Sequence, residues 1–312
     1  MDAHLDLHTV RIVRAIAETG TISGAARALG YSQPAVSQHL QRAEARLGTP
    51  LVTRAARGVR LTEAGSVLAR HALAITSALD AASGELADLS GLRTGSVRIA
   101  AFPTASSTIV PRLLGVMAET HPGIRLSYVE AEPPEALDLM REGSVDLAIT
   151  FSYPGDPVDP RVVTPEGFAQ RVLFTEDVLV VAPTRIDFRD RGLANVADLR
   201  EEQWIGGCPR CRGHLLASCE AAGFIPSIAV ETDNASAVLN LVASGIGVAL
   251  LPRLALASSL VPEGVALLPQ ASGDERVIHE THLPGAERVP AIRATLDALA
   301  TIDGSAWGLR AA

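Results

Sequence analysis

Three cysteines fall within one stretch, "WIGGCPRCRGHLLASCEAAGF": Cys208, Cys211 and Cys219. Cys208 and Cys211 stand at a Gly-rich helix start, where peptide dipoles favour thiolates, so redox chemistry is open to them. Cys219, eight residues into the same expected helix, reads as a small buried hydrophobe. A zinc site from Cys208, Cys211, His214 and Cys219 would ask one helix to wrap four ligands around an ion. These readings stay open side by side, and no metal or cofactor is expected. No Ser/His/acid or metal-protease pattern stands out among the eight His, so no catalytic residues are expected.

A second set of groups suits ligand binding. "PTASST" follows the strand-like "SVRIAAF" and opens a helix. Thr104, Ser106 and Ser107 can cap it and offer hydroxyls beside its free N–H groups, a setting that suits a carboxylate. Thr150 ends another strand, "VDLAITF", and "TDNAS" brings Asp233 and Asn234 to the start of a later helix, as caps or as ligand contacts. Cys208 and Arg210 can face the same cleft. In open α/β sheets ligands sit beyond the carboxyl ends of strands, which is where these segments fall.

A third set lies near the N-terminus. "YSQPAVSQHLQRAEARLG" reads as a turn and a helix, with Val36, Leu40, Ala43 and Leu47 at helical spacing. Ser32 is a good N-cap and Pro34 fits the first turn. The stripe also includes Ala35. The helix front carries Ser32, Gln33, Ser37 and Gln38; Arg42 and Arg46 follow behind, placed for DNA backbone or a protein partner. Gln bonds adenine bidentately and Ser serves several bases, so this front suits a major groove.

The elements that hold these groups can be read from pattern. Residues 5–19 form a helical stripe ended by Gly20; Thr21 or Ser23 can cap the next helix, "GAARALG", which Gly30 ends. Two helices joined by a tight turn match a helix-turn-helix. "LVTRAARGVRLT" then reads as a hairpin carrying Arg54, Arg57 and Arg60, a wing able to grip phosphate. From 63 to 90 a Pro-free helix places Leu68, Ala72, Ile75, Leu79, Ala82, Leu86 and Leu89 on a heptad seam, which predicts pairing of two subunits. Beyond Gly95 strands and helices alternate, predicting largely parallel α/β folding.

Charge follows this division. All 27 basic residues are Arg, and residues 1–62 sum to +4 whereas the remainder sums to −12. A basic head on an acidic body fits a nucleic-acid-binding domain joined to something else. No apolar run reaches membrane-span length, and "MDAHLDLHTV" lacks a secretory leader, so a cytoplasmic location without membrane contact is expected.

The segment "TISGAARALGYSQPAVSQHLQRAEARLGTPLVTRAARGVRLTEAG" resembles the winged helix of LysR-type transcriptional regulators, and "EGSVDLAIT" and "ASGIGVALLP" continue the likeness. Val52 stands where that family often has Phe. The resemblance implies an N-terminal all-α winged helix-turn-helix (1–62), a linker and dimerisation helix (63–94), and a C-terminal α/β two-lobed domain like the periplasmic binding proteins. Lobe I is expected at 95–166 and 270–302, lobe II at 167–269, and a tail at 303–312. It implies double-stranded DNA, a small-molecule effector, a second copy of the chain (homodimer or tetramer) and RNA polymerase as partners.

DNA contacts are expected from Ser23, Ser32, Gln33, Pro34, Ser37, Gln38, Arg42, Arg54 and Arg57. Effector contacts are expected from Thr104, Ser106, Ser107, Thr150, Cys208, Asp233 and Asn234. Dimer contacts are expected from Leu68, Ile75, Leu79, Ala82 and Leu86. The function expected is that of a DNA-binding regulator controlled by an anionic effector, and not an enzyme. The alternatives are a thiol-based sensor using Cys208, Cys211 and Cys219, and a solute-binding protein. Peroxide sensors of this family carry a Cys pair in the corresponding region; here an intact helix would hold Cys211 and Cys219 about 12 Å apart, too far to bridge.

Overall fold

The computed structural model describes residues 5–55, 58–89, 95–155, 167–186 and 193–311. The chain divides into two compact units: 1–93 with 141–144 and 283–290, and 94–140 with 145–282 and 291–312.

In the first unit three helices pack around one core. Helix α1 (Leu7–Thr19) is capped by Asp6, whose carboxylate accepts from the Thr9 amide, and ends at Gly20 in the left-handed conformation. Helix α2 (Ile22–Leu29) is capped by Thr21, not Ser23, and ends at Gly30. Helix α3 (Gln33–Leu47) is capped by Ser32, with Pro34 in its first turn. Val10, Val13 and Ile16 of α1 meet Ala25 and Ala26 of α2 and Val36 and Leu40 of α3. Strands β1 (Val52–Ala55) and β2 (Gly58–Leu61) form the hairpin, with Arg54 opposite Val59. The Val59 amide bonds the Gly20 carbonyl at 3.1 Å. Gly58 has φ +96°, and a Cβ there would stand 2.5 Å from the Gly20 oxygen, so only glycine lets the hairpin lie this close.

Helix α4 (Glu63–Leu89) corrects part of the expected seam. Leu68 and Ala72 are buried in the core of their own unit, and Ile75 packs partly against it. A helical stripe shows that a face is covered, not by what. Leu79 remains 40% exposed and Ala82 is exposed. The side chain of Leu86 lies outside the described residues.

The second unit is built on one ten-stranded sheet. Strand β3 (Gly95–Ala101) leads to a single turn, α5 (Pro103–Ser106), and then α6 (Ile109–Thr120). Strand β4 (Ile124–Glu130), helix α7 (Pro133–Arg141) and strand β5 (Leu147–Ser152) complete a parallel group ordered β4-β3-β5. Strand β6 (Ala169–Pro183) follows. Strand β7 (Gln203–Gly206), helix α8 (Pro209–Ala221), strand β8 (Ser227–Glu231), helix α9 (Ala235–Ala243) and strand β9 (Val248–Pro252) give a second parallel group, β9-β7-β8. Then come α10 (Leu254–Ala257), β10 (Val265–Pro269), β11 (Glu275–His282), α11 (Pro290–Ala300) and β12 (Arg310–Ala311).

The antiparallel strands β6 and β11 join the two groups. Residues 169–177 of β6 pair with β11, which pairs in turn with β5; residues 178–183 pair with β9 and β10. The crossing therefore falls within β6, near Val178, rather than at 167. A 15-residue strand spans roughly 50 Å, long enough to serve both lobes. Within the C-terminal tail expected at 303–312, β12 pairs with β6, and Arg310 bridges Asp177 and Glu275. Among the described residues no helix is long and apolar enough to cross a membrane.

Candidate functional site

The polar front of α3 is open. Val36, Leu40 and Ala43 are buried at i, i+4 and i+7, which turns Ser32, Gln33, Pro34, Gln38 and Arg42 outward; Ser37 is half-buried. Ser23 on α2 and Arg54 on β1 are also exposed, and Arg57 lies outside the described residues. The Arg46 guanidinium pairs with Asp6 of the same unit. His39 sits beside it, its Nε2 3.2 Å from Asp6 Oδ1 and 3.0 Å from Thr9 Oγ1, with its ring 4.3 Å from that of His8. Burial alone would raise the Asp6 carboxyl, but the Thr9 amide and Arg46 outweigh it and hold the group well below the usual range.

In the second unit the carboxyl ends of the parallel strands meet around a small pocket. Phe102 and Thr104 follow β3, Glu132 follows β4 and Phe151 ends β5. From the other lobe come Cys208 and Cys211 after β7, Thr232 and Asp233 after β8, and Leu251 on β9. Arg276 of β11 lines the same space.

Arg276 is 2% exposed and is paired through Nε and Nη2. It donates from Nε to Glu176 Oε1 at 2.8 Å and from Nη2 to Thr104 Oγ1 at 3.1 Å. The other Glu176 oxygen accepts from the Leu254 amide. The guanidinium lies over the rings of Phe102 and Phe151, 4.9 and 4.6 Å from their centroids.

The two thiols form the facing wall. Cys208 caps α8, accepting from the Cys211 amide at 3.4 Å, and its Sγ stands 3.1 Å from Cys211 Sγ. The Tyr153 hydroxyl donates to Cys211 Sγ at 3.3 Å, and its ring stacks on His214, which bonds Asp274 at 2.7 Å. The hydrogen bond from Cys208 lowers the Cys211 thiol to about 7 against the opposing effect of burial, with Arg276 and Tyr153 assisting. That same bond, with burial, pushes Cys208 up. Cys219 is buried in the lobe core, where desolvation raises it to about 11. Burial also raises Glu132, whose Oε2 has no hydrogen-bond partner among the described residues.

The expected site residues divide. Thr104, Cys208 and Asp233 line the pocket. Ser106 and Ser107 do not: because α5 is one turn, their hydroxyls donate backward, to the Ala101 and Thr104 carbonyls, instead of capping a long helix. Thr150 bonds Thr281 across neighbouring strands and belongs to the core. Asn234 caps α9 through the Ala237 amide. Arg276, Glu132, Phe151 and Tyr153 were not expected. The C-terminal-end rule reaches Glu132 and Phe151, but it misses Arg276, because β11 runs antiparallel and starts where the others end. No group of three or more His, Cys, Asp and Glu among the described residues is arranged to hold a metal ion.

Two family models match the chain: the LysR substrate binding domain over residues 90–302, and the bacterial regulatory helix-turn-helix protein of the lysR family over 7–66. A probable HTH-type transcriptional regulator, LrrA, from Synechococcus elongatus is 29% identical over 295 residues, covering 95% of this chain and 96% of that protein. A probable hydrogen peroxide-inducible genes activator from Mycobacterium avium is 30% identical over 252 residues, covering 79% and 78%. A full-length OxyR variant from Pseudomonas aeruginosa superimposes with a TM-score of 0.69 at 20% identity, covering 96% of each chain, a likeness of fold.

Proposed function

Because this chain belongs to the LysR family of bacterial DNA-binding transcriptional regulators, we propose that it reads DNA bases with Gln33, Ser37 and Gln38 and answers to a small anionic molecule held between its two lobes. Exposed Gln33 and Gln38 with half-buried Ser37 on the front of α3 match what a major groove offers, and Arg42, Arg54 and Arg57 are the phosphate contacts of this reading. Two copies joined through the outer part of α4 span successive groove faces. Contact with RNA polymerase and a homodimeric or tetrameric assembly belong to the same reading.

One observation carries the ligand: the buried guanidinium of Arg276 faces the pocket beside Thr104. Glu176 holds Nε and Nη2, so an anionic group meets Nη1. The acidic groups Glu132 and Asp233 also line the pocket, so the ligand carries a hydrogen-bond donor as well. Its body packs against Phe102, Phe151 and Leu251. Calorimetry with a panel of small hydroxy- and amino-carboxylates and their neutral amides tests this. A carboxylate should bind, its amide should not, and Thr104→Val should weaken the carboxylate. Equal binding of acid and amide would refute the anionic ligand.

A further inference from the structure

We infer that Cys208 and Cys211 are a redox modification site: a hydroperoxide oxidises them to a disulfide within the first turn of α8, with Cys211 the attacking sulfur and Cys208 the resolving one. This holds whether or not the pocket takes the effector proposed above.

The geometry assigns the roles. Positions 208 and 211 are the cap and third residue of one helix, so their side chains share a face. Their sulfurs are already in contact at 3.1 Å, and closing the bond requires no unwinding of α8. Both line the pocket, which gives a small oxidant a route to them. Cys211 carries the developed negative charge, since it receives hydrogen bonds from Cys208 and from the Tyr153 hydroxyl, and Arg276 stands near. The Cys208 thiol also stands within reach of the Glu132 carboxylate, so its single proton can turn from Cys211 to Glu132, whose Oε2 is buried without a partner among the described residues. Glu132 is thus a proton acceptor beside the resolving thiol. Cys219 is fully buried in the lobe core and takes no part.

The steps balance. The Cys211 thiolate attacks one oxygen of ROOH; the O–O bond breaks, an S–O bond forms, and the alkoxide leaves and is protonated to ROH. Cys208 gives its proton to Glu132 and attacks the Cys211 sulfur. The S–O bond breaks as the S–S bond forms, and the departing hydroxide takes the proton from Glu132 as water. Two thiols and ROOH become one disulfide, ROH and water.

The full-length chain treated with stoichiometric hydrogen peroxide, alkylated and mapped by mass spectrometry tests this. Cys219→Ser should still lose two hydrogens between positions 208 and 211 and regain them with dithiothreitol. Cys208→Ser should stop at a sulfenic acid on Cys211, trapped by dimedone. Glu132→Gln should slow closure after sulfenic acid formation by about 10²-fold, whereas a merely structural role would leave that step unchanged. Wild-type protein mapped without substitution covers the case of a variant that fails to fold. A bridge to Cys219, or both thiols surviving peroxide in the folded chain, would overturn the assignment.

Discussion

Arg210 of α8 donates from Nη1 to the main-chain carbonyl of Phe151 at the end of β5, 2.9 Å away. Its side chain thereby ties the helix bearing the thiols to the strand that forms the opposite wall. A hydrogen bond from a charged donor is worth about 1.5–3 kcal/mol. Arg210→Ala should lower stability by up to that amount and raise amide exchange in residues 151–153, read by hydrogen–deuterium exchange. Unchanged exchange there would show that the tie does not restrain the lobes.

The Arg276–Glu176 pair predicts an asymmetry. Glu176→Gln leaves a buried guanidinium without its counter-charge and should cost about 3–5 kcal/mol in urea unfolding. Arg276→Met combined with Glu176→Gln removes both charges and should recover a large part of that loss. A double variant no more stable than Glu176→Gln would mean that packing, not charge, sets the cost.

On the DNA side, Gln33→Ala should relax sequence preference and cost about 1–3 kcal/mol at one base position. Arg54→Ala should instead weaken binding to all sequences alike and flatten the salt dependence by about one unit of slope. Selection from randomised duplexes and titration at several salt concentrations separate the two.

Leu68 and Leu79 should respond differently to the same change. Leu68→Asp puts a charge into the head core and should unfold that unit, seen as loss of its cooperative transition. Leu79→Asp places the charge on an exposed face and should leave the fold intact while giving monomers in sedimentation. Dimers that persist in Leu79→Asp would move the pairing surface elsewhere.

Asp6 makes the head pH-sensitive in a definite direction. Its folded carboxyl titrates well below its unfolded value of 3.8. The stabilisation it supplies is therefore fully present above about pH 4 and is lost as pH falls further toward the folded value. Wild type and Asp6→Asn should differ in thermal midpoint at pH 6 and converge progressively as pH falls from about 4 toward the folded value. A constant difference across that range would show that the cap hydrogen bond, not the charge, matters.

Local signals were legible where a residue's task is local. Thr21 and Ser32 cap the helices they precede, and the glycines that end α1 and α2 do so in the left-handed conformation, because these are tasks of adjacent backbone. Leu68 was misplaced because periodicity identifies a covered face without naming its cover. Ser106 and Ser107 were misplaced because a hydroxyl can cap forward or bond backward, and the length of α5 decides which. Arg276 was invisible because its importance depends on which strand starts at the cleft, a matter of topology alone.

Strand β6 has a mechanical consequence. Its first nine residues belong to one lobe and its last six to the other, with no break between them. The lobes share one continuous strand. They can swivel by changing the twist of that strand near Val178, but they cannot slide apart without tearing the ladder on one side. A ligand in the pocket would therefore be felt as torque along β6, and substitutions that alter its twist near Val178 should change that response without touching the pocket.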